Sequence, residues 1–122
     1  MNVEILIRGG VDYHSGVKRF MGDAELYETV LQQLLLSDTA FDRACRAYEK
    51  RDGAALRAAA HELKGACGSA DITPVYEEAA KLVVLLRQPT CDWEEIAPVF
   101  DRFSQACQTA RRAIEQASSP AS

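Results

Sequence analysis

The sequence predicts an all-α protein, an antiparallel up-down four-helix bundle with a short additional N-terminal helix. Apolar residues recur at spacings of three and four along almost the whole chain, and no segment after Gly10 sustains the alternation of a half-buried strand. The breaks between periodic segments are short, so successive helices must return antiparallel around one core. With 122 residues, the chain has the length of a single domain and can bury such a core without metal or disulfide staples.

The short helix is expected to be capped by Asp12, to bury Tyr13, Val17 and Phe20, and to stop at Gly22. Asp23 then caps a second helix whose stripe runs Tyr27, Val30, Leu34, Phe41, Ala44, Tyr48. Leu34 and Phe41 keep the period across Ser37-Asp38-Thr39, which favours one long helix with a slight bend. Asp52-Gly53 marks the next turn, and Asp52 caps a third helix reaching about Ala70. Thr73-Pro74 opens the fourth, with the stripe Val75, Ala79, Leu82, Leu86, and Gln88-Pro89-Thr90 breaks it. The last helix carries Trp93, Ile96, Phe100, Phe103, Cys107, Ala110 and Ile114; with Pro98 inside that stripe, the helix either starts after Trp93 or kinks. One domain over 1–122 is expected, ordered over about 11–116 and frayed over 117–122. The initiating Met and the frayed tail point to a free-standing protein.

A net charge of −4 leaves no excess of Lys and Arg to neutralise phosphates, which argues against a nucleic-acid partner. No apolar run approaches the roughly 20 residues that span a bilayer, and Val3 to Ile7 is too short for a signal-peptide core, so no membrane association and a cytoplasmic location are expected. Cys45, Cys67, Cys91 and Cys107 form no C-x-x-C pair and have no paired His at ligand spacing, so they read as buried free thiols and no metal site is expected.

The chemistry lies on the third helix. At about 100° per residue, Leu56 and Leu63 point the same way into the core, with Ala59, Ala66, Cys67 and Ala70 beside them, while His61 lies roughly 140° to 160° from both leucines and faces solvent. Arg57, Lys64, Gly65 and Gly68 fall within about 60° of His61. The outward stripe is thus an imidazole, two cations and two bare positions. A Gly inside a helix costs roughly 0.8 to 1 kcal/mol relative to Ala, and on an exposed face neither Gly65 nor Gly68 is needed for a neighbouring helix, so both are expected to clear space for an outside partner.

A neutral imidazole is a nucleophile at near-neutral pH and needs no separate base. Phosphoryl transfer asks mainly for positioning and positive charge, which Lys64 can supply to the phosphate oxygens, with Arg57 as a possible auxiliary. The chain has no Gly-rich phosphate loop and no acidic cluster for Mg²⁺, so it is expected to have no cofactor and no kinase activity of its own.

The run His61-Glu62-Leu63-Lys64-Gly65-Ala66-Cys67-Gly68 resembles the H-x-L-K-G-x-x-(small) signature of histidine-containing phosphotransfer (HPt) domains, and Asp12 to Tyr27 is similar to the family's usual opening. The resemblance implies a four-helix bundle that takes a phosphoryl group from a receiver-domain aspartate or a sensor kinase and passes it to a response-regulator receiver domain. It gives His61 the acceptor role, Lys64 the phosphate-stabilising role, and Gly65 with Gly68 the clearance. It also implies receiver domains and a hybrid sensor histidine kinase as partners, Mg²⁺ in the receiver, and a monomeric phosphocarrier. Two positions depart from the family pattern: many members have a Gly ten residues after the acceptor and a polar residue about 22 after it, where this chain has Asp71 and Val83.

Two other function classes compete with this one. A silent helical adaptor would dock receivers through the same face without accepting phosphate. An enzyme using His61 as general base is disfavoured, because an exposed helix face offers neither a pocket nor a second matched titratable group. An apolar patch for docking is expected on the face shared by the second and third helices.

Overall fold

The computed structural model describes residues 1–34 and 39–118. Seven helices are seen among them: α1 (Val3–Arg8), α2 (Tyr13–Arg19), α3 (Ala24–Gln32), α4 (Ala40–Glu49), α5 (Gly53–Ser69), α6 (Thr73–Leu86) and α7 (Trp93–Ala117). No strand occurs among the described residues; Val11 and Ile72 form one isolated bridge.

Short polar side chains set the starts of these helices. Asn2, Asp12, Asp23, Asp52 and Asp92 each accept a hydrogen bond from the backbone N–H three residues on, so a donor that has no helical partner is satisfied at a gain of about 1 kcal/mol per cap. Four of these caps coincide with helix starts expected from sequence or lie beside one. Asn2 does not, because α1 is an element the sequence reading left out. With only six residues, α1 is too short to display a period, yet Leu6 is fully buried and the helix lies against α7. Gly9 permits that approach, since a Cβ there would collide with the Ala113 side chain. The ordered structure therefore begins well before position 11.

The far end also extends beyond expectation. Ala117 is buried and its carbonyl accepts from the Asn2 N–H at 3.1 Å, while the Ser118 hydroxyl donates to the Ile114 carbonyl at 2.6 Å. Of the tail expected to fray, 117 and 118 are held by α1 and α7, and 119–122 lie outside the described residues.

The single long second helix is not observed. α3 ends at Gln32, Gln33 and Leu34 take a wider π-type turn, and α4 starts at Ala40 after a non-helical Thr39. Ser37 and Asp38 lie outside the described residues. A break that preserves the seven-residue phase between Leu34 and Phe41 leaves no mark in the apolar pattern. Thr39, with φ −100° and ψ 4°, is the non-helical residue from which α4 starts, and its side chain makes no capping bond. In α2, Tyr13, Val17 and Phe20 are only half-buried, packed against the core's edge.

The expectation of a start later than Trp93 is overturned: α7 starts at Trp93 and carries Pro98 inside it. The missing N–H deprives the Glu94 carbonyl of its helical partner. Both residues are exposed, so water can take that carbonyl.

α5 occupies the middle of the fold, packing against α4 on one side and α6 on the other, and α6 packs against α7. Leu56, Ala59, Ala60, Leu63 and Cys67 of α5 are buried, and Leu82, Phe103 and Ile114 of the neighbouring helices are fully enclosed. Burial of one such Leu, Ile or Phe contributes about 1.5 to 3 kcal/mol. All four cysteines are free thiols; Cys67 and Cys107 are buried, and Cys45 and Cys91 half-buried. Burial pushes the Cys107 thiol far above its ordinary range. No described helix is long and apolar enough to cross a membrane.

Candidate functional site

α5 is built to be a rigid platform. It is rich in alanine, the strongest helix former; Asp52 caps its start, and its inward stripe from Leu56 to Cys67 is clamped between α4 and α6. Its end is closed by two hydrogen bonds that follow the Schellman pattern, Ile72 N–H to the Cys67 carbonyl at 2.9 Å and Asp71 N–H to the Gly68 carbonyl at 3.4 Å. That closure requires a left-handed residue, and Asp71 supplies it with φ of 57°. Here the position where family members often carry Gly acquires a physical meaning: it is the helix-ending left-handed site.

An Asp there is strained but tolerated, and it brings a charge that Gly lacks. The Arg19 guanidinium at the end of α2 grips the Asp71 carboxylate with two bonds, Nε to Oδ2 at 2.9 Å and Nη2 to Oδ1 at 3.1 Å. This carboxylate hydrogen bond raises the Arg19 pKa above its ordinary value. Two further hydrogen bonds tie the same end to the N-terminal segments: the Tyr27 hydroxyl donates to the Ala70 carbonyl at 2.6 Å, and the Asp12 N–H donates to the Asp71 carbonyl at 2.9 Å as part of the isolated bridge that pairs Val11 with Ile72.

On the outward face of this platform His61 is exposed, and neither of its ring nitrogens is hydrogen-bonded among the described residues. Val83, at the second departure, is buried and has no group to hold the ring. Lys64 is half-buried and Arg57 exposed, and neither is ion-paired among the described residues. Glu62 turns away from the ring to pair with Arg43 of α4 at 2.7 Å.

The two glycines differ. A Cβ built on Gly65 would meet nothing within 4 Å, so no intramolecular contact accounts for that glycine. A Cβ on Gly68 would come within 3.0 Å of the Tyr76 ring on α6. The expectation that no neighbouring helix needs either glycine is therefore corrected for Gly68: its bare Cα seats an aromatic side chain of this same chain.

Beside His61 lies a shallow open groove of about 560 Å³, with Arg19, Lys64, Gly65, Asp71 and Tyr76 among its walls. The structure thus gathers His61, Lys64 and Gly65 as the sequence stripe places them, leaves Arg57 outside this groove, and adds Arg19, Asp71 and Tyr76. Arg19 and Asp71 are 52 positions apart in sequence, and no periodicity links them. Of the docking patch expected between the second and third helices, the described residues show only Leu26, exposed on α3 within the span expected as the second helix, and Leu35 and Leu36 of that span lie outside the described residues. The large apolar side chains exposed among the described residues are Ile7, Met21, Leu26, Tyr76 and Val84, none of them on α4 or α5, and of these Tyr76 alone lines the groove. Tyr76 is a lone aromatic on its helix face, with no sequence signal to mark it.

An accessible imidazole sharing a groove with Lys64, on a rigid helix that is bare over Gly65, suits transfer of an anionic group between two proteins. The family model of the Hpt domain matches residues 17–120. The chain belongs to the Hpt domain family, the histidine phosphotransfer modules of phosphorelays. The match begins within α2, so α1 precedes it. Comparison with curated proteins and with solved structures finds no match.

Proposed function

We propose that this chain is a phosphocarrier that accepts a phosphoryl group on His61 and hands it to a response-regulator receiver domain. The exposure of the His61 ring next to the empty space over Gly65 carries this reading. In the accepting step the imidazole lone pair attacks phosphorus of a receiver's aspartyl phosphate. A P–N bond forms as the P–O bond breaks, and the electron pair leaves on the aspartate carboxylate; donation runs the same exchange backwards onto the next receiver. Lys64 sits one turn along from the acceptor and offsets charge on the transferring group, with Arg57 assisting from the preceding turn. Gly65 clears the approach of the incoming loop.

Mg²⁺ belongs in this scheme to the receiver's acidic site, and the chain itself runs no kinase reaction. A hybrid sensor histidine kinase is the fitting upstream partner. We read α4 to α7 as an antiparallel up-down four-helix bundle and the protein as a cytoplasmic monomer. Incubation with a phosphorylated receiver domain tests the proposal, scoring acid-labile, alkali-stable label. Wild type takes label, His61→Gln takes none, and Lys64→Ala is slower by about tenfold or more, in line with loss of one charge-stabilising group. Equal labelling of His61→Gln, or binding without any label on wild type, overturns the assignment.

A further inference from the structure

We propose that Tyr76, seated on the bare Cα of Gly68, is the anchor against which the partner's phosphoaspartate loop docks, setting affinity for the receiver without taking part in the chemistry. This rests on the phosphocarrier reading above. Tyr76 is 40% exposed on the solvent side of α6, although its ring packs closely enough on α5 that a Cβ at position 68 would sit 3.0 Å from Cδ2 and 3.2 Å from Cε2. The ring is therefore held on one face and free on the other. A Tyr in that state presents a large contact area at little further entropic cost, and aromatic residues of this kind dominate the binding energy of protein interfaces.

Its location selects the partner. Among the large exposed apolar side chains of the described residues, Tyr76 is the one that lines the groove containing His61, whereas Val84, further along the same helix, lines a separate apolar depression with Leu85 and Val99. The groove offers Lys64 without an ion-pair partner among the described residues. An anionic acyl phosphate on a loop entering this groove meets the ammonium at its tip and the tyrosine ring along its flank. Gly68 thereby serves the interface indirectly. Its missing side chain lets the ring settle onto α5, while Gly65 clears the acceptor itself.

The test uses the full chain labelled on His61 with phosphoramidate, a small donor that needs no protein docking, and then mixed with increasing amounts of a receiver domain that takes label from the wild type. Tyr76→Ala raises the receiver concentration giving half-maximal transfer by about tenfold, as for loss of an interface anchor. Its rate at saturating receiver stays within about twofold of wild type, and so does its labelling by phosphoramidate. Tyr76→Phe stays close to wild type, because the ring is kept, and Val84→Ala is unchanged. Gly68→Ala, which pushes the ring outward while favouring the helix, weakens half-saturation in the same direction by a smaller factor. Tyr76→Ala with wild-type half-saturation overturns the anchor while leaving the phosphocarrier intact, and so does a Tyr76→Ala defect that Val84→Ala shares. Wild type that takes no label from phosphoramidate and passes none to a receiver overturns both.

Discussion

Gly65→Ala separates a glycine kept for folding from one kept for a partner. In the middle of a helix, Ala is favoured over Gly by about 0.8 to 1 kcal/mol. At position 65 nothing offsets this gain, because the added methyl would touch no atom within 4 Å. At about 2.1 cal/mol/K of unfolding entropy per residue, the gain corresponds to a rise of about 4 °C in Tm for a chain of this length. The same methyl occupies space beside the imidazole, where reacting atoms must close to about 3 to 3.5 Å and a 1 Å misplacement costs up to about a hundredfold. Urea titration should give a higher midpoint at unchanged slope, phosphoramidate should label His61 as in wild type, and transfer to or from a receiver should slow by at least about tenfold. A lower midpoint would show that the glycine serves the fold. A higher midpoint with undiminished transfer would remove clearance as its reason.

Met21 holds a left-handed φ of 58° at the end of α2 and is 96% exposed, so Met21→Gly relieves strain at no packing loss and should stabilise by about 1 kcal/mol in thermal melts. Arg19→Ala should destabilise wild type but have little effect in an Asp71→Gly background, where the carboxylate is gone and the left-handed site is relaxed; additive effects in that double-mutant cycle would show the ion pair to be uncoupled from the helix end. Burial pushes the Tyr27 pKa far above its ordinary value of 10.0. The folded state therefore holds this proton where the unfolded chain has lost it, so stability is fully present below pH 10 and declines as pH rises above it. Tyr27→Phe should be less stable at neutral pH by about 1 kcal/mol for the lost bond to Ala70, and should show a smaller alkaline decline; identical alkaline slopes for the two proteins would refute the assignment.

Helix existence was legible wherever a long apolar stripe and a short polar cap coincided, as at Asp52 with Leu56 and Leu63, or at Pro74 with Val75, Ala79 and Leu82. It was not legible at α1, whose six residues show no period and whose stability comes from Leu6 packing on a helix that follows by more than 80 positions. The break before Ala40 was hidden because it keeps phase. The turns were located correctly: Gly22 takes a positive φ of 83°, with Met21 before it at 58°, and in the turn before α5 the left-handed residue is Arg51, because Gly53 already begins the helix. At the site, one helix carries His61, Lys64 and Gly65, so wheel arithmetic suffices to place them together. Arg19, Asp71 and Tyr76 come from other elements or from beyond the helix end, and Gly68 differs from Gly65 only through the ring that covers it.

The held and unheld parts of the site divide along one line. Beyond its own Schellman closure and the Tyr76 ring on Gly68, the C-terminal end of α5 is held by the N-terminal segments, through Val11, Asp12, Arg19 and Tyr27. All four act on Ala70, Asp71 or Ile72, within about three turns of the acceptor. The imidazole itself receives no hydrogen bond among the described residues. A carrier that meets more than one partner gains from this division. The backbone beneath the ring stays where each partner finds it, so little ordering entropy is lost on docking, while the ring can rotate to align with an incoming or outgoing phosphoryl group. Loosening the anchor should therefore cost transfer without touching the acceptor. Tyr27→Phe combined with Arg19→Ala, assayed at a temperature where the protein remains folded, should slow transfer between proteins more than labelling by phosphoramidate. An equal loss in both would place the defect at the ring and refute the division.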